Sequence, residues 1–208
     1  GRASALALAR AGAAVVVVDG GAQPDGAPSE PAEDPATEVA GEISRAGGQA
    51  LALRREVAGQ ASAGQVIAAA EEAFGGVDAL VCAAGLRRDL SLLKLDEASL
   101  AASLAAHVGA PLWITQAAAR HMIGRGQGGR IVHFTGAAGL LGNLGQVATA
   151  AGLGGAHAVT RTAAIELQRH RITVNAVAPL AKTRLTEGLP MFQGTTSLGP
   201  EHVAAAVL

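Results

Sequence analysis

Residues 1–19 read GRASALALARAGAAVVVVD, and this stretch decides the fold class. Its first twelve residues space small and apolar side chains as a helix does, and Gly12 provides a stop signal. Four valines follow, a run that is too short for a helix and apolar on both faces, which predicts a buried strand. The strand ends at Asp19. A helix that leads into a buried strand is part of the repeating unit of an α/β protein.

The same alternation continues along the rest of the chain. It predicts a doubly wound, mostly parallel sheet with right-handed crossovers, in a single domain over residues 1–208. A segment rich in Pro and Gly at 20–35 is expected to be a loop inside that domain. Because the chain starts in a helix and stops in an apolar run, we expect the domain to lack its first strand and its C-terminal end. Strands are predicted at 13–19, 49–57, 77–85, 129–136 and 172–179, and helices at 1–12, 36–48, 62–76, 97–124, 146–170 and 200–208. The helix at 97–124 is expected to kink near Pro111.

The composition excludes several classes of function. The chain has 208 residues, 50% of them apolar, 2% aromatic and none of them tyrosine, with a formal net charge of −1. This charge gives no electrostatic reason to bind nucleic acid or an anionic membrane. No apolar run approaches the ~20 residues of a membrane span. The lone Cys82 excludes an internal disulfide and favours a reducing cytoplasm. No His or Cys spacing indicates a metal site.

Three features lie where a doubly wound sheet binds its ligand, beyond the carboxyl ends of its strands. Asp19 is placed to accept hydrogen bonds from an adenosine ribose and to repel a 2′-phosphate, which favours NAD over NADP; the alternative is an ordinary turn aspartate. Small residues at 82–85, among them Ala84 and Gly85, let the backbone approach a flat ligand, although they also form ordinary turns. Gly1 opens a helix and is a candidate for the last glycine of a phosphate-binding loop.

Further motifs give the chain a resemblance to the short-chain dehydrogenase/reductase family. They are FGGVDALVCAAG, GRIVHFTGAAGLLGNLGQ, ITVNAVAP and TRLTEGLP. The chain looks most like the dehydrogenase domain of multifunctional enzymes that act on 3-hydroxyacyl thioesters with NAD. The resemblance implies a Rossmann-like fold, NAD(P)-linked chemistry of the 3-hydroxyacyl or 3-oxoacyl type, and oligomers formed through helices near 97–124 and 146–170. It also implies that Pro179 and Thr183 contact the nicotinamide, where Leu180 replaces the usual small residue and is expected to crowd the ring.

The resemblance places the catalytic slots of the family on residues that lack its chemistry. The serine slot falls on Gly136, the tyrosine slot on Thr149 and the lysine slot on Leu153, while His107 takes the asparagine slot. Residues 149 and 153 share one helical face, so the geometry is preserved. A free phenol has a pKa near 10, which a neighbouring ammonium lowers, whereas an aliphatic hydroxyl is a far weaker acid. With no tyrosine in the chain and lysines only at 94 and 182, the sequence predicts an impaired or inactive enzyme.

Other interpretations stay open at this point. An active oxidoreductase could use Thr135, His133 or His157 instead, although the two histidines are better explained as structural residues. The chain could also be a non-enzymatic dinucleotide-binding subunit, a helix-pairing partner of an active relative, or an incomplete, pseudogene-like product. Gly152 and Gly154 lie inside a predicted helix, where each glycine costs roughly 0.5–1 kcal/mol relative to alanine. We therefore expect this helix to be locally weak, as relaxed selection would leave it.

Overall fold

The computed structural model describes residues 1–29, 34–189, 192, 194 and 197–208. Its named strands all pair in parallel, with helices on both sides of the sheets, which confirms the predicted α/β class. Contacts divide the chain into two compact units. The first unit comprises Gly1–Arg55 with Pro179–Leu208, and the second comprises Glu56–Ala178.

In the described residues of the first unit, a two-stranded parallel sheet is accompanied by three α-helices. The two strands are held in register from Val15 opposite Ala50 to Asp19 opposite Arg54. Asp34 caps the second helix by accepting a hydrogen bond from the Thr37 N–H, because the first N–H groups of a helix have no partner within it. The elements are α1 (Arg2–Arg10), β1 (Val15–Asp19), α2 (Pro35–Arg45), β2 (Ala50–Arg54) and α8 (Pro200–Ala204).

The structure differs in detail from the sequence expectations for β1 and for the loop at 20–35. The strand β1 is half-buried along its whole length and has no fully buried residue, although its valines predicted a buried strand. The predicted loop at 20–35 is irregular where the structure describes it, with an isolated antiparallel bridge between Ala22 and Pro28. Residues 30–33 of that loop lie outside the described part of the chain.

The second unit contains a three-stranded parallel sheet in the order β3-β4-β5. Buried and exposed side chains alternate along β4 and the first part of β5, and Ile131, Ile172 and Val174 supply the buried face. The elements are α3 (Gln60–Phe74), β3 (Ala79–Cys82), α4 (Glu97–Leu104), α5 (Ala110–Arg125), β4 (Gly129–Phe134), α6 (Ala138–Leu141), α7 (Val147–Leu167) and β5 (Ile172–Val177).

The long helix predicted at 97–124 is interrupted by a π-helical turn at Ala105–Gly109. Pro111 has no N–H to donate to the carbonyl four residues earlier, so the helix cannot keep an unbroken α pattern through it. The structure places a wider turn immediately before the proline, where the Ala110 N–H donates to the Ala105 carbonyl. The predicted irregularity near Pro111 is therefore confirmed, and its form is a π turn, a feature that often marks functional sites.

By length and composition alone, the 29-residue stretch Glu97–Arg125 could cross a membrane, since an 18-residue window within it has a mean hydropathy of 1.2. Its segments α4 and α5 pack against α7 and α3 in the second unit. The core helix of an α/β protein packs in the same way, so these properties do not by themselves indicate a membrane span.

The glycines of α7 are sites of close approach. A Cβ added at Gly152 would lie 2.9 Å from the His107 Cβ and 3.2 Å from the Ser103 carbonyl oxygen. One added at Gly154 would lie 3.1 Å from the Gly139 carbonyl oxygen, and one at Gly155 would lie 2.6 Å from a Val108 methyl group. The helix thus loses intrinsic propensity at these positions, but it gains contact with α4, the π turn and α6. This packing explains Gly152 and Gly154 without the relaxed selection that the sequence suggested.

The substitution Gly152→Ala tests this packing role. Alanine improves helix propensity by about 0.5–1 kcal/mol, but its methyl group must displace His107, and overpacking costs typically 1–3 kcal/mol. We expect a net loss of unfolding free energy in urea denaturation. Gly64→Ala in α3 is the matched control, because a Cβ there meets nothing within 4 Å. This control should stabilise the protein; if both variants stabilise it, the close approach at Gly152 has no energetic role.

Candidate functional site

The structure brings the three substituted catalytic slots together at the end of β4 and on α7. Gly136 follows β4 by two residues, and a Cβ added to it would lie 2.9 Å from Leu153 Cδ1. Thr149 lies one turn before Leu153 on α7, as the sequence predicted. An isobutyl side chain therefore lies against a bare backbone where the resemblance implies an ammonium group and a hydroxyl. This contact offers no proton to transfer and no charge.

The hydroxyl group of Thr149 is buried and has no hydrogen-bond partner among the described residues. Thr149 as a whole is 7% exposed. Burying a hydroxyl without a partner costs roughly 1–3 kcal/mol, so this atom favours a bound water or a polar ligand atom beside it. A hydroxyl can donate to or accept from such a group. An aliphatic hydroxyl is a far weaker acid than a phenol, and the residue one turn later on α7 is Leu153, which carries no charge.

His107 is held in the π turn with one ring nitrogen engaged. Its Nε2 lies 2.9 Å from the Leu86 carbonyl oxygen, which requires Nε2 to carry a proton and to donate. Burial lowers the pKa of His107, and the hydrogen bond to Leu86 acts in the opposite direction. The ring also packs against Gly85, where an added Cβ would lie 2.9 Å from His107 Cε1. His107 therefore packs against the turn after β3, where the sequence predicted a close approach of the backbone to a ligand.

His133 is the centre of a buried hydrogen-bond chain. Thr160 Oγ1 donates to the Ala156 carbonyl at 2.7 Å, so it accepts from His133 Nδ1 at 2.8 Å. His133 Nε2 must then accept from Thr115 Oγ1, which lies 2.8 Å away. The Cys82 thiol also hydrogen-bonds to Thr115, and burial raises the pKa of this thiol to about 12. Both nitrogens of His133 are thus occupied in a neutral ring, whose pKa burial lowers.

The alternative catalytic residues do not form a base and nucleophile pair. The ring of His133 is fully engaged, and Thr135 Oγ1 lies 3.4 Å from the Val177 carbonyl oxygen. His157 has a buried Nε2 without a partner among the described residues. It follows Thr149 by eight residues, or about 12 Å of helical rise, so the two unpartnered atoms do not belong to one hydrogen-bonded site.

Asp19 has the surroundings that a ribose-binding carboxylate needs. Its Oδ1 accepts a hydrogen bond of 2.7 Å from the Gly21 N–H, which leaves Oδ2 with no hydrogen bond from the described residues. Asp19 lies close to Gly1 at the start of α1. Gly1 caps that helix, and its carbonyl accepts from the Ala5 N–H at 2.9 Å. These positions fit the adenosine end of a dinucleotide.

The residues assigned to the nicotinamide end fit less well. The Thr183 N–H donates to Thr186 Oγ1 at 2.8 Å, and the two hydroxyl groups lie 3.2 Å apart. Both the N–H and the hydroxyl group of Thr183 therefore already have a hydrogen-bond partner within its own turn. Pro179 is half-buried, and Leu180 after it is 54% exposed. Ala84 is exposed.

Sequence reasoning missed the polar side chains that hold the elements around these slots. Ser103 Oγ donates to the Ala148 carbonyl at 2.9 Å, and Gln146 Nε2 donates to the Asp89 carboxylate at 3.1 and 3.2 Å. Ser103 lies within an apolar helical pattern, and a single polar residue in such a pattern is the feature that could have indicated its role. Asp89 and Gln146 are 57 residues apart, and no local pattern connects them. The described residues contain no group of three His, Cys, Asp or Glu side chains that could hold a metal ion.

The buried histidines predict how stability depends on pH. Because burial lowers the folded-state pKa values of His107 and His133 below their ordinary value, the unfolded chain binds more protons below about pH 6.5. Their contribution to stability is complete above that pH and is lost as the pH falls towards the folded-state values. The loss reaches about 1.4 kcal/mol per pH unit for each histidine.

This dependence is measured by urea unfolding between neutral and mildly acidic pH. His133→Gln should reduce the slope of unfolding free energy against pH, whereas His202→Gln, at an exposed position, should leave it unchanged. An unchanged slope in His133→Gln would show that His133 does not titrate between the two states.

Comparison with known proteins places these features in a family. The model of the short chain dehydrogenase family matches residues 1–190. The peroxisomal hydratase-dehydrogenase-epimerase of Saccharomyces cerevisiae is 35% identical over 208 residues, which are all of this chain and 23% of that protein. A short chain dehydrogenase from Mycobacterium avium is 38% identical with a TM-score of 0.86, over all of this chain and 72% of that one.

A 7α-hydroxysteroid dehydrogenase, solved with NADH and 7-oxo glycochenodeoxycholic acid, is 29% identical with a TM-score of 0.77. The match covers 87% of this chain and 66% of that protein. The family match extends from α1 through β5, so it includes both the Asp19 turn and the substituted catalytic slots. This chain belongs to the short-chain dehydrogenase/reductase family of oxidoreductases.

Proposed function

We propose that this chain is a dinucleotide-binding member of the family that does not catalyse hydride transfer. The observation that carries the proposal is the packing of Leu153 against Gly136, with the unpartnered hydroxyl of Thr149 one turn away. The scaffold keeps its parallel sheets, and Asp19 Oδ2 accepts no hydrogen bond from the described residues, which supports its role in binding a ribose. The acid and base groups of the reaction are absent from the same scaffold.

The chemistry of alcohol oxidation explains why this loss matters. A bound nicotinamide dinucleotide supplies the hydride acceptor, and the protein must take the proton from the substrate hydroxyl. Thr149 is too weak an acid to exchange that proton at neutral pH without a cation beside it. The proton on His107 Nε2 is donated to Leu86, and both nitrogens of His133 are used. No other side chain described near these slots replaces the phenol.

The ligand preferences follow from residues that remain. Asp19 favours an unmodified ribose, which supports NAD over NADP. The similarity to an enzyme named as a hydratase-dehydrogenase-epimerase, together with the motifs of the sequence, supports an ancestral substrate of the 3-hydroxyacyl or 3-oxoacyl thioester class. The single, buried Cys82 supports a cytoplasmic location.

Restoring the three slots tests the proposal directly. The full-length protein that contains this chain should bind NAD but form no NADH from a 3-hydroxyacyl thioester. The triple variant Gly136→Ser, Thr149→Tyr, Leu153→Lys should form NADH at least ~10²-fold faster than the parent protein, because a positioned acid–base group contributes about 10²–10⁴-fold. Replacing Leu153 in the same variant also removes the side chain that a Cβ at residue 136 would meet.

The matched control carries Thr149→Phe in place of Thr149→Tyr. It introduces the same ring without the phenol oxygen, so it should bind NAD like the active variant and form no NADH. Ordinary turnover by the parent protein would contradict the proposal, and so would the absence of NAD binding in every variant.

A second candidate function is pairing of this chain with another copy or an active relative. It is favoured by apolar side chains that α5 and α7 expose, among them Leu112 at 37% and Ile165 at 76%. Only 33% of the apolar window within Glu97–Arg125 is buried. The small residues of α7 would let a partner helix approach closely. We propose that the helices near 97–124 and 146–170 form this interface.

Ile165→Glu tests the pairing. A charge at the centre of an apolar contact should raise the dimer dissociation constant at least ~10-fold, since an unpaired buried charge is costly. Light scattering over a range of concentrations measures this change. Leu93→Glu is the control, because Leu93 is 96% exposed on a turn outside these helices. A parent protein that is monomeric at every concentration would contradict the pairing.

A further inference from the structure

Arginines gather at the amino ends of β4 and β5. Residues 125–130 read RGQGGR and lead from α5 into β4, and residues 169–171 read RHR and lead from α7 into β5. The two strands pair in parallel from Gly129 opposite Ile172, so these segments lie side by side. Together they contain four arginines and no acidic residue. We call these two segments the arginine cluster.

Three guanidinium groups of the cluster surround one short turn. Each of them donates a hydrogen bond to a residue of the turn 126–129. The bonds run from Arg125 Nη2 to Gln127 Oε1 at 3.0 Å, from Arg130 Nη1 to the Gly129 carbonyl at 2.9 Å, and from Arg171 Nη2 to the Gly126 carbonyl. A guanidinium carries five N–H donors. Arg130 and Arg171 therefore keep donors for a ligand while the turn holds both side chains in place.

The backbone of Arg171 is fixed by the same turn. Its φ is +60°, and it is the one non-glycine residue of the described chain with a positive φ. Its carbonyl accepts from the Gly129 N–H at 3.3 Å, and a Cβ added at Gly128 would lie 2.6 Å from that carbonyl oxygen. A side chain in this left-handed region is strained, whereas glycine is not. The chain therefore carries an arginine where glycine would be less strained, as functional sites often do.

The positive charge of the cluster exceeds what its carboxylate neighbour balances. Asp78 Oδ1 accepts from Arg125 Nη1 at 2.8 Å, which is the cluster's ion pair among the residues that the structure describes. The other three arginines are exposed and have no ion pair in that part of the chain. Like charges in a small region repel one another, and a bound anion relieves that repulsion. The cluster therefore favours an anion with more than one negative charge.

We propose that the arginine cluster binds a phosphate group, either of a free phosphate anion or of a phosphate ester. Guanidinium groups bind phosphate oxygens through paired, charge-assisted hydrogen bonds. Arg130 and Arg171 supply these donors, and Arg169 adds positive charge beside them. The six residues of β4 span roughly 20 Å between this site and the end of the strand that leads to Gly136. The site is therefore separate from the substituted catalytic slots, and nothing in it requires a bound dinucleotide.

Titration calorimetry on the full-length protein at constant ionic strength tests the site. The probes are inorganic phosphate, diphosphate and glycerol 3-phosphate, which compare a free anion with a phosphate ester. We expect the parent protein to bind at least one probe saturably. Arg171→Gly should weaken that binding at least ~10-fold, the effect of losing one charge-assisted contact. Glycine adopts the φ of residue 171 without strain, so this variant should keep its fold, which thermal unfolding measures.

Arg130→Gln should weaken the same probe to a similar extent. Arg161→Gln is the matched control, because Arg161 is an exposed arginine of α7 that lies about 12 Å of helical rise before Arg169. It removes one positive charge and should change the affinity less than about twofold, since salt screens exposed charges at that distance.

Three results overturn the site: no saturable binding of any probe by the parent protein, unchanged affinity in Arg171→Gly and Arg130→Gln, or equal weakening in these variants and in Arg161→Gln. When the site is present, the order of affinities identifies its ligand. Tighter binding of glycerol 3-phosphate than of phosphate and diphosphate indicates a phosphate ester, and the reverse order indicates a free anion.

Discussion

The close approach of α7 to its neighbours is the constraint on which the second unit depends. Three glycines within four residues of α7 bring its backbone against the π turn, α4 and α6. The least tolerant contact is on the facing side, where a Cβ at Gly139 would lie 2.5 Å from the Gly154 nitrogen. Backbone atoms cannot move aside as side chains do, so this crossing fixes the position of α7 relative to the end of β4. The catalytic slots lie on the same two elements, and their geometry is preserved for that reason.

The sequence predicted those features whose causes are local. The order of strands and helices and the irregularity near Pro111 follow from periodicity, turn chemistry and the missing proline N–H. The role of Gly152 could not be predicted, because its reason is His107, which lies 45 residues earlier in the sequence. Helix propensity alone suggested weakness at this position. The half-buried β1 likewise depends on what covers the strand, which its own valines do not specify.

The candidate site likewise has features that the sequence predicted and features that it could not. Spacing along one helix correctly placed Thr149 and Leu153 on a common face beside Gly136. Spacing could not show that the Thr149 hydroxyl would be buried without a partner, or that Leu153 would fill the space over Gly136. The hydrogen-bond chain through Thr115, His133 and Thr160 joins one strand to two helices, and the sequence could not predict it either. It gives His133 a structural explanation and removes it from the list of replacement catalysts.

The residues in the serine and lysine slots, Gly136 and Leu153, are physically coupled. Such coupling is typical of a site whose side chains have repacked, and not of one that has lost residues at random. A serine at residue 136 would force the Leu153 side chain to move, so glycine and leucine at these slots suit each other. Random loss would leave cavities or clashes at this crossing, each of which costs stability. Among the three substituted slots, the unpartnered Thr149 hydroxyl is the one that carries such a cost. The carboxylate proposed to meet an adenosine ribose, that of Asp19, lies instead at the end of β1, in a different part of the sequence. In the proposed function, binding and a stable fold can therefore persist without the chemistry, because Asp19 is not one of the substituted slots.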